Sequence, residues 1–398
     1  MISFNEAIEI IDNLDIKPTG FERIFILDAV DRILAEDIVA KENSPTHRTS
    51  SMDGYAIKQS DIDRELKVID NIPAGSYKDI ELKDGEAIKI FTGAIVPNKT
   101  DLVVPIEYIK REKDSVKIEQ KFQSGFAIRE IGEHYREAEL LLKKGTKIGF
   151  AEIGVLSGLN IAEILVYKKP KVSIISTGDE VLSLCEKRTN PSQIRSSNNY
   201  MLFALAKKYG ANPSNLGSIK DDKESLKEAI SEAFENSDIL VTTGGVSVGD
   251  FDFVKDIVKA EGEVVIDKVA MKPGRHIKVI KHKNRVILAL PGFSYSATIT
   301  FLMFGVRVIN KYLNHNFKYK TIEAKLKKPL KKSKSLTDFR ACNLIYENGE
   351  YFIDFENKKA GSSAILLNMI GENLALAQLN EGIESFSENK KIKAIILN

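Results

Sequence analysis

Two stretches of the chain carry residue types suited to holding a phosphate. One reads Ser176-Thr177-Gly178-Asp179-Glu180. The other reads Thr242-Thr243-Gly244-Gly245-Val246-Ser247-Val248-Gly249-Asp250. Paired glycines let backbone N–H groups approach an anion closely, and the N-terminus of a following helix favours negative charge. Thr243 and Ser247 add hydroxyl donors. A phosphate cradle is one reading of the second stretch, and a tight strand-to-helix turn without a ligand is the other. The chain has neither a Walker A pattern nor a dinucleotide fingerprint, which argues against an ordinary NTPase or dehydrogenase.

Acids surround both stretches. Asp179, Glu180, Asp250 and Asp252 lie beside them, and Asp221-Asp222 follows a third apolar run. Carboxylates next to a bound phosphate repel it unless a cation intervenes. Mg²⁺ is the natural mediator, because it combines few carboxylates with phosphate oxygens and water. Glu180, Asp222, Asp250 and Asp252 are the expected ligands, although helix N-capping accounts equally for Asp222 and in part for Asp250. Opposite charge comes from Met271-Lys272-Pro273-Gly274-Arg275. Lys272 and Arg275 can face an anion there or form a solvated basic loop. Leu290-Pro291-Gly292 closes another apolar run. Pro291, Gly292 and the downstream Ser296 join Thr177, Gly178, Asp179, Gly244 and Gly245 as candidate substrate contacts.

These residues need elements to hold them. From Lys169-Pro170 onward, apolar runs alternate with amphipathic ones. Strands are expected at Val172–Ser176, Asn215–Ile219, Ile239–Thr242, Val264–Val269, Ile277–Ile280 and Val286–Leu290. Helices are expected at Asn199–Tyr209, Lys223–Glu235, near Phe253–Ala260, and from about Ser296 to Tyr312. That alternation implies a doubly wound, mostly parallel sheet, whose ligands sit outside the carboxyl ends of the strands. Between Val39 and Leu142 the runs are short and separated by Gly, Pro and Asp. This indicates a β-rich insertion, with strands at Ala87–Phe91, Leu102–Pro105 and Ser115–Glu119. Residues 316–398 again read as short strands, forming a small β domain or barrel. Lys325–Lys334 reads as a solvated surface, with a ligand-facing patch as the alternative. The expected fold class is multidomain α/β plus β. Residues 1–22 and 168–315 would form the α/β domain, 23–45 and 136–167 a linking domain, 46–135 the β-rich domain and 316–398 the C-terminal β domain.

Composition narrows the function classes. The chain has 398 residues, 43% hydrophobic and 29% charged, which excludes disorder and fibrous folds. Fifty-eight basic against 56 acidic residues leave a net charge of +2 and no global electrostatic case for nucleic acid or an acidic membrane. Cys185 and Cys342 are the two cysteines, too few for a disulfide framework or a cysteine-based zinc site, and a reducing cytoplasm is expected. The first residues show Ser3 and Glu6 in capping-box spacing with Phe4, Ala7, Ile8 and Ile11 at helical spacing, and no targeting signal. Val286–Val306 lacks formal charge over a length that could span a bilayer. Pro291-Gly292 and the serines and threonines after it instead indicate a strand, a turn and a buried helix.

In combination, Ser176–Glu180, Thr242–Asp252, Met271–Gly274 and Leu290–Gly292 resemble the molybdopterin molybdenumtransferase family, whose members include the E domain of gephyrin. Ser51-Met52-Asp53-Gly54-Tyr55-Ala56 resembles the family's SMDGYA signature, and Phe91-Thr92-Gly93-Ala94 with Pro97, Asp101 and Glu107 a second segment. Arg340 and Gly361-Ser362 match at the C-terminal end. The resemblance implies an elongated four-part subunit that dimerises, with the N-terminal helix packed on the α/β domain. It implies a reaction in which adenylated molybdopterin and molybdate give molybdenum cofactor and AMP, with Mg²⁺ assisting. It places catalytic acids on Asp53, Glu180 and Asp252, with Asp222 or Asp221 beside them. Asp53, for which no partner is expected in its own β-rich segment, would reach the α/β domain of the other subunit. An upstream adenylyltransferase is the implied partner enzyme. The chain departs from the family at Phe293-Ser294, where Asn-Pro is usual, at Arg275-His276, where Lys-Pro is usual, and at His134, where an acid is usual. Tungstate in place of molybdate, a non-catalytic pterin-binding or scaffolding relative, and an adenylyltransferase acting one step earlier are the alternatives.

Overall fold

A computed structural model of the chain describes residues 1–219, 223–244, 262–359 and 365–397. It divides into two compact units. One comprises Met1–Glu36, Gly145–Leu156 and Ile161–Asn398; the other comprises Asp37–Lys144 and Ser157–Asn160.

The smaller unit is built on a six-stranded sheet. Its strands are β1 (Gly54–Ile57), β2 (Glu65–Ile72), β3 (Glu86–Ile90), β4 (Leu102–Pro105), β5 (Ile109–Glu112) and β6 (Ser115–Ile118). Their order is β4-β1-β3-β2-β6-β5. Strands β1, inside the sheet, and β4, at its edge, are buried along their whole length, as apolar runs without alternation require when both faces are covered. The β-rich reading of this region holds.

The larger unit begins with helix α1 (Phe4–Asp12). Ser3 and Glu6 form the expected capping box, and Phe4, Ala7 and Ile11 are buried. They enter the same core as the strands of the α/β sheet, and Asp12 pairs with Arg307 at 2.9 Å. That sheet contains β7 (Lys171–Thr177), β8 (Asn212–Ile219), β9 (Ile239–Thr243), β10 (Glu263–Asp267), β12 (Lys278–His282) and β13 (Arg285–Leu290); a short strand β11 (Met271–Lys272) belongs elsewhere. The order is β8-β7-β9-β13-β12-β10. Strands β8, β7, β9 and β13 are mutually parallel, and β12 is antiparallel to both its neighbours. Helix α2 (Asn198–Lys208) connects β7 to β8, and α3 (Lys223–Asn236) connects β8 to β9. The chain therefore leaves β7 in one direction along the sheet and β9 in the other, which creates a switch point at their carboxyl ends.

After β13 the chain turns through Pro291-Gly292 into helix α4 (Ser294–Thr300). It continues through a π-helical turn at Phe301–Gly305 into α5 (Val306–Tyr312). The uncharged segment is thus strand, turn and buried helix, and no helix among the described residues is long and apolar enough to cross a membrane. The expected helix near Phe253–Ala260 lies outside the described residues. The C-terminal strands are β14 (Thr321–Leu326), β15 (Thr337–Glu347), β16 (Glu350–Asp354), β17 (Leu374–Leu379) and β18 (Lys391–Ile396). Pairing runs β15-β16-β14-β18-β17 and closes from β17 back to β15, forming a five-stranded barrel. Closure leaves no free edge among these five strands. The Lys325–Lys334 stretch is mixed. Lys325 and Lys327 pair with Glu350 and Glu347 on the surface. Lys332, expected in solvent, is instead buried, with its ammonium donating to the Ser333 and Leu336 carbonyls.

Candidate active site

Two adjoining clefts open on the carboxyl edge of the α/β sheet, with Phe293 on the wall of both. The first, of about 300 Å³, lies at the switch point. Ser176 and Thr177 enter it from the end of β7, Thr243 and Gly244 from the end of β9, and Gly292 and Ser294 from the turn after β13. Gly244 has a φ of +82°, and a Cβ there would stand 2.7 Å from the Thr177 carbonyl oxygen. Gly244 therefore lets two strand ends approach within backbone contact, which no side chain permits.

Glu180 stands on the same cleft, its carboxylate folded back over Gly178 into the space a Cβ would occupy. A two-stranded ribbon fixes it: Val181–Leu182 runs parallel to Ile194–Arg195, and the Ile194 N–H donates to the Glu180 carbonyl at 2.7 Å. Asp179 is exposed and lines neither cleft. The ribbon also delivers Ser196, Ser197 and Asn198, which complete the wall and were not anticipated from sequence. The signal for them was a run of small polar residues before an apolar helix, the usual signature of a helix start.

The second cleft, of about 740 Å³, lies where the Met271–Arg275 turn meets the barrel. Met271–Lys272 forms β11, which pairs in parallel with Thr337–Asp338 at the start of β15. Gly274, with φ +102°, passes so close to Thr300 that a Cβ would overlap its methyl group at 2.3 Å. This turn presents Lys272, Arg275 and His276 to the cleft, with Pro291 and Ser296 on the facing side. The barrel contributes Lys331, Arg340, Lys358 and Lys359. The acid on this wall is Asp338, which is buried and accepts from Arg340 Nε at 3.0 Å and Nη2 at 2.8 Å. Among the charged residues of this otherwise largely apolar wall, cations therefore outnumber acids. Tyr295 ties its floor together: the hydroxyl accepts from the Ala341 N–H at 2.8 Å and donates to the Phe339 carbonyl. Burial raises the Tyr295 phenol above its ordinary pKa, so it stays neutral.

Asp53 sits in the other compact unit, next to β1. The expectation that it has no partner in its own segment is wrong. The Thr92 N–H and hydroxyl both donate to its Oδ1, each at 2.8 Å. These bonds hold its carboxyl below the usual carboxylate range. The Phe91–Ala94 segment is therefore a cradle for Asp53. His134 lies 3.4 Å from the Ser44 hydroxyl through Nδ1, and the neighbouring Glu133 accepts from the Glu130 N–H.

Asp221, Asp222, Gly245, Ser247, Asp250, Asp252, Gly361 and Ser362 lie outside the described residues. Among the described residues no group of three or more acids, histidines or cysteines is gathered where it could hold a metal ion. Glu180 is the described member of the expected magnesium set.

Comparisons with known proteins agree with this geometry. Residues 2–159 match the family described as "MoeA N-terminal region (domain I and II)", and residues 173–311 match "Probable molybdopterin binding domain". The molybdopterin molybdenumtransferase of Nostoc sp. (strain PCC 7120) is 36% identical over 325 residues, covering 78% of this chain and 74% of that one. The Bacillus subtilis (strain 168) protein of the same name is 34% identical over 343 residues, covering 83% and 79%. Among solved structures, the molybdopterin biosynthesis moeA protein from Pyrococcus horikoshii OT3 superposes with a TM-score of 0.85 at 26% identity over the whole of both chains. With a switch-point cleft, a cationic cleft beside it and relatives of this identity and coverage, the chain belongs to the molybdopterin molybdenumtransferase family and is an enzyme.

Proposed function

We propose that the protein inserts molybdenum from molybdate into adenylated molybdopterin and releases AMP, giving molybdenum cofactor. The observation that carries this reading is the adjacency of two chemically different clefts at one sheet edge. The switch-point cleft is lined by hydroxyls, an amide and the Glu180 carboxylate, suited to a pterin carrying a phosphate. The cationic cleft, with Lys272, Arg275 and Arg340, suits a tetrahedral dianion. Phe293 lines both clefts, and on this reading a ligand held in the first meets an anion held in the second.

Each group has a role in that reading. Thr177, Thr243 and Gly244 bind the substrate's phosphate end. Lys272 and Arg275 hold the oxyanion, with Ser296 and Pro291 shaping its side of the cleft. Glu180, Asp53 and Asp252 are the proposed catalytic acids. Mg²⁺ held by Glu180 with Asp222, Asp250 and Asp252 would neutralise charge on the phosphate link when bound. The working form is a homodimer, supplied with adenylated pterin by an upstream adenylyltransferase. The two free thiols suit a reducing cytoplasm.

The test is incubation of the purified protein with adenylated molybdopterin, Mg²⁺ and either molybdate or tungstate, followed by AMP quantitation. Oxyanion-dependent AMP release is expected, and its loss on chelation of Mg²⁺. No AMP with either oxyanion would overturn the reading, and tungstate working better than molybdate would reassign the substrate.

A further inference from the structure

The switch-point cleft holds two polar atoms that the fold leaves unsatisfied. Asn198 is 9% exposed, and its Oδ1 is buried with no hydrogen-bond partner among the described residues. The Ser196 hydroxyl is in the same condition. Both residues line the cleft. The orientation of the Asn198 carboxamide follows from chemistry. Its nitrogen lies 2.7 Å from the Gly292 carbonyl, which can only accept, so Nδ2 donates there and Oδ1 is left for the cleft.

The neighbouring Asn199 shows that this segment can satisfy an asparagine fully. Its Nδ2 donates to Asn215 Oδ1 and the Gly217 carbonyl, and its Oδ1 accepts from the Ser176 hydroxyl. Asn198 differs in facing the cleft. Its position is rigid, because the Ser196 N–H donates to the Leu182 carbonyl at 2.8 Å and the ribbon beneath is paired. A buried acceptor without a donor is costly, so one held in place in a binding cleft calls for a donor from the ligand.

A carboxamide oxygen only accepts, so it repels phosphate and molybdate oxygens and needs an N–H or O–H. On the reading of this cleft as the molybdopterin site, the pterin ring supplies that group. We infer that Asn198, seconded by Ser196, is a specificity-determining residue that reads the pterin ring, its Oδ1 accepting from the exocyclic amino group. The ring then lies against the ribbon formed by Val181–Leu182 and Ile194–Arg195, leaving the Thr243–Gly244 side for the phosphate. A cleft of about 300 Å³ has room for a bicyclic ring.

The experiment compares 6-hydroxymethylpterin with its 2-oxo counterpart, 6-hydroxymethyllumazine, which replaces the amino donor by an acceptor. Binding of each to the full chain is measured by ligand-observed NMR at millimolar concentration. Wild type is expected to prefer the pterin by at least about tenfold, and Asn198→Leu to bind the two alike. Asn198→Leu also removes the tether to Gly292, so Ser196→Ala serves as a second variant; it leaves that tether and the ribbon bonds untouched and is expected to weaken pterin binding several-fold. If Asn198→Leu weakens both ligands by the same factor, or wild type does not distinguish them, the residue only positions the loop and the inference falls while the proposed function stands. Unchanged pterin binding by Ser196→Ala would remove Ser196 from it. If wild type binds neither compound but releases AMP from adenylated molybdopterin, the ring lies elsewhere and the inference falls. If it binds neither and releases no AMP, the proposed function falls with it.

Discussion

At the scale of single residues, charge and its partners decide what the clefts can do. Asp53 is exposed but not free, since two donors from Thr92 converge on one of its oxygens. A folded-state pKa below the ordinary value means the carboxylate is ionised throughout the neutral range. Any stability it contributes is present above the ordinary carboxylate pKa and is lost as pH falls through the lowered one. Thr92→Val removes the hydroxyl donor and keeps the N–H. The Asp53 carboxyl, followed by NMR, should then titrate at a higher pH than in wild type, closer to the ordinary carboxylate range. An unmoved titration would show that the hydroxyl contributes nothing to its charge. In the cationic cleft, Lys272 and Arg275 project from one turn. A dianion about 4 Å from an opposite charge gains several kcal/mol per contact at an effective dielectric near 20. The double variant Lys272→Ala/Arg275→Ala should therefore require a much higher molybdate concentration for AMP release. Superimposable curves for variant and wild type would mean the pair is surface charge. Arg340 and Lys331 stand on the same wall, so a residual response is expected.

At the scale of elements, strand ends and short ribbons fix the site. Gly244 lets the end of β9 touch the end of β7, and an alanine there meets both a positive φ and the Thr177 carbonyl. Gly244→Ala should lower stability by about 2 kcal/mol or more, read as a fall in thermal midpoint with loss of pterin binding. A variant as stable as wild type would show that the two strand ends can separate at no cost. The barrel offers a chemical probe of its own packing. Cys342 is buried in the barrel core, its thiol donates to the Ala375 carbonyl, and burial pushes its pKa up to about 12. Cys185 is exposed. A thiol reagent should titrate one cysteine in the native protein and two after denaturation. Two reactive thiols in the native state would mean that the barrel opens.

At the scale of the whole molecule, the proposed homodimer should appear by light scattering at micromolar concentration. A monomer with full oxyanion-dependent AMP release would count against it. How much of this was legible beforehand depends on the range of the forces involved. Local chemistry wrote itself into the sequence. The Ser3–Glu6 capping box, the short continuous apolar runs and the period-3.6 apolar patterns are set by residues a few positions apart, so strands such as Leu102–Pro105 and Arg285–Leu290 and the α/β alternation followed directly. The motifs marked Glu180, Thr243 and Lys272 as candidates for the same reason, and each lines one of the two clefts. What depended on partners far along the chain was hidden. Nothing near residue 271 announces that β11 will add to a barrel strand more than sixty residues later. Thr92 could be seen as part of a motif but not as the donor to Asp53, 39 positions away. Ser196 and Asn198 looked like an ordinary helix start until the ribbon beside Glu180 turned them into a wall. Sequence determined the elements and the chemical types at their ends. Tertiary structure alone decided which ends meet, because burial and hydrogen bonding act between neighbours in space whatever their separation along the chain.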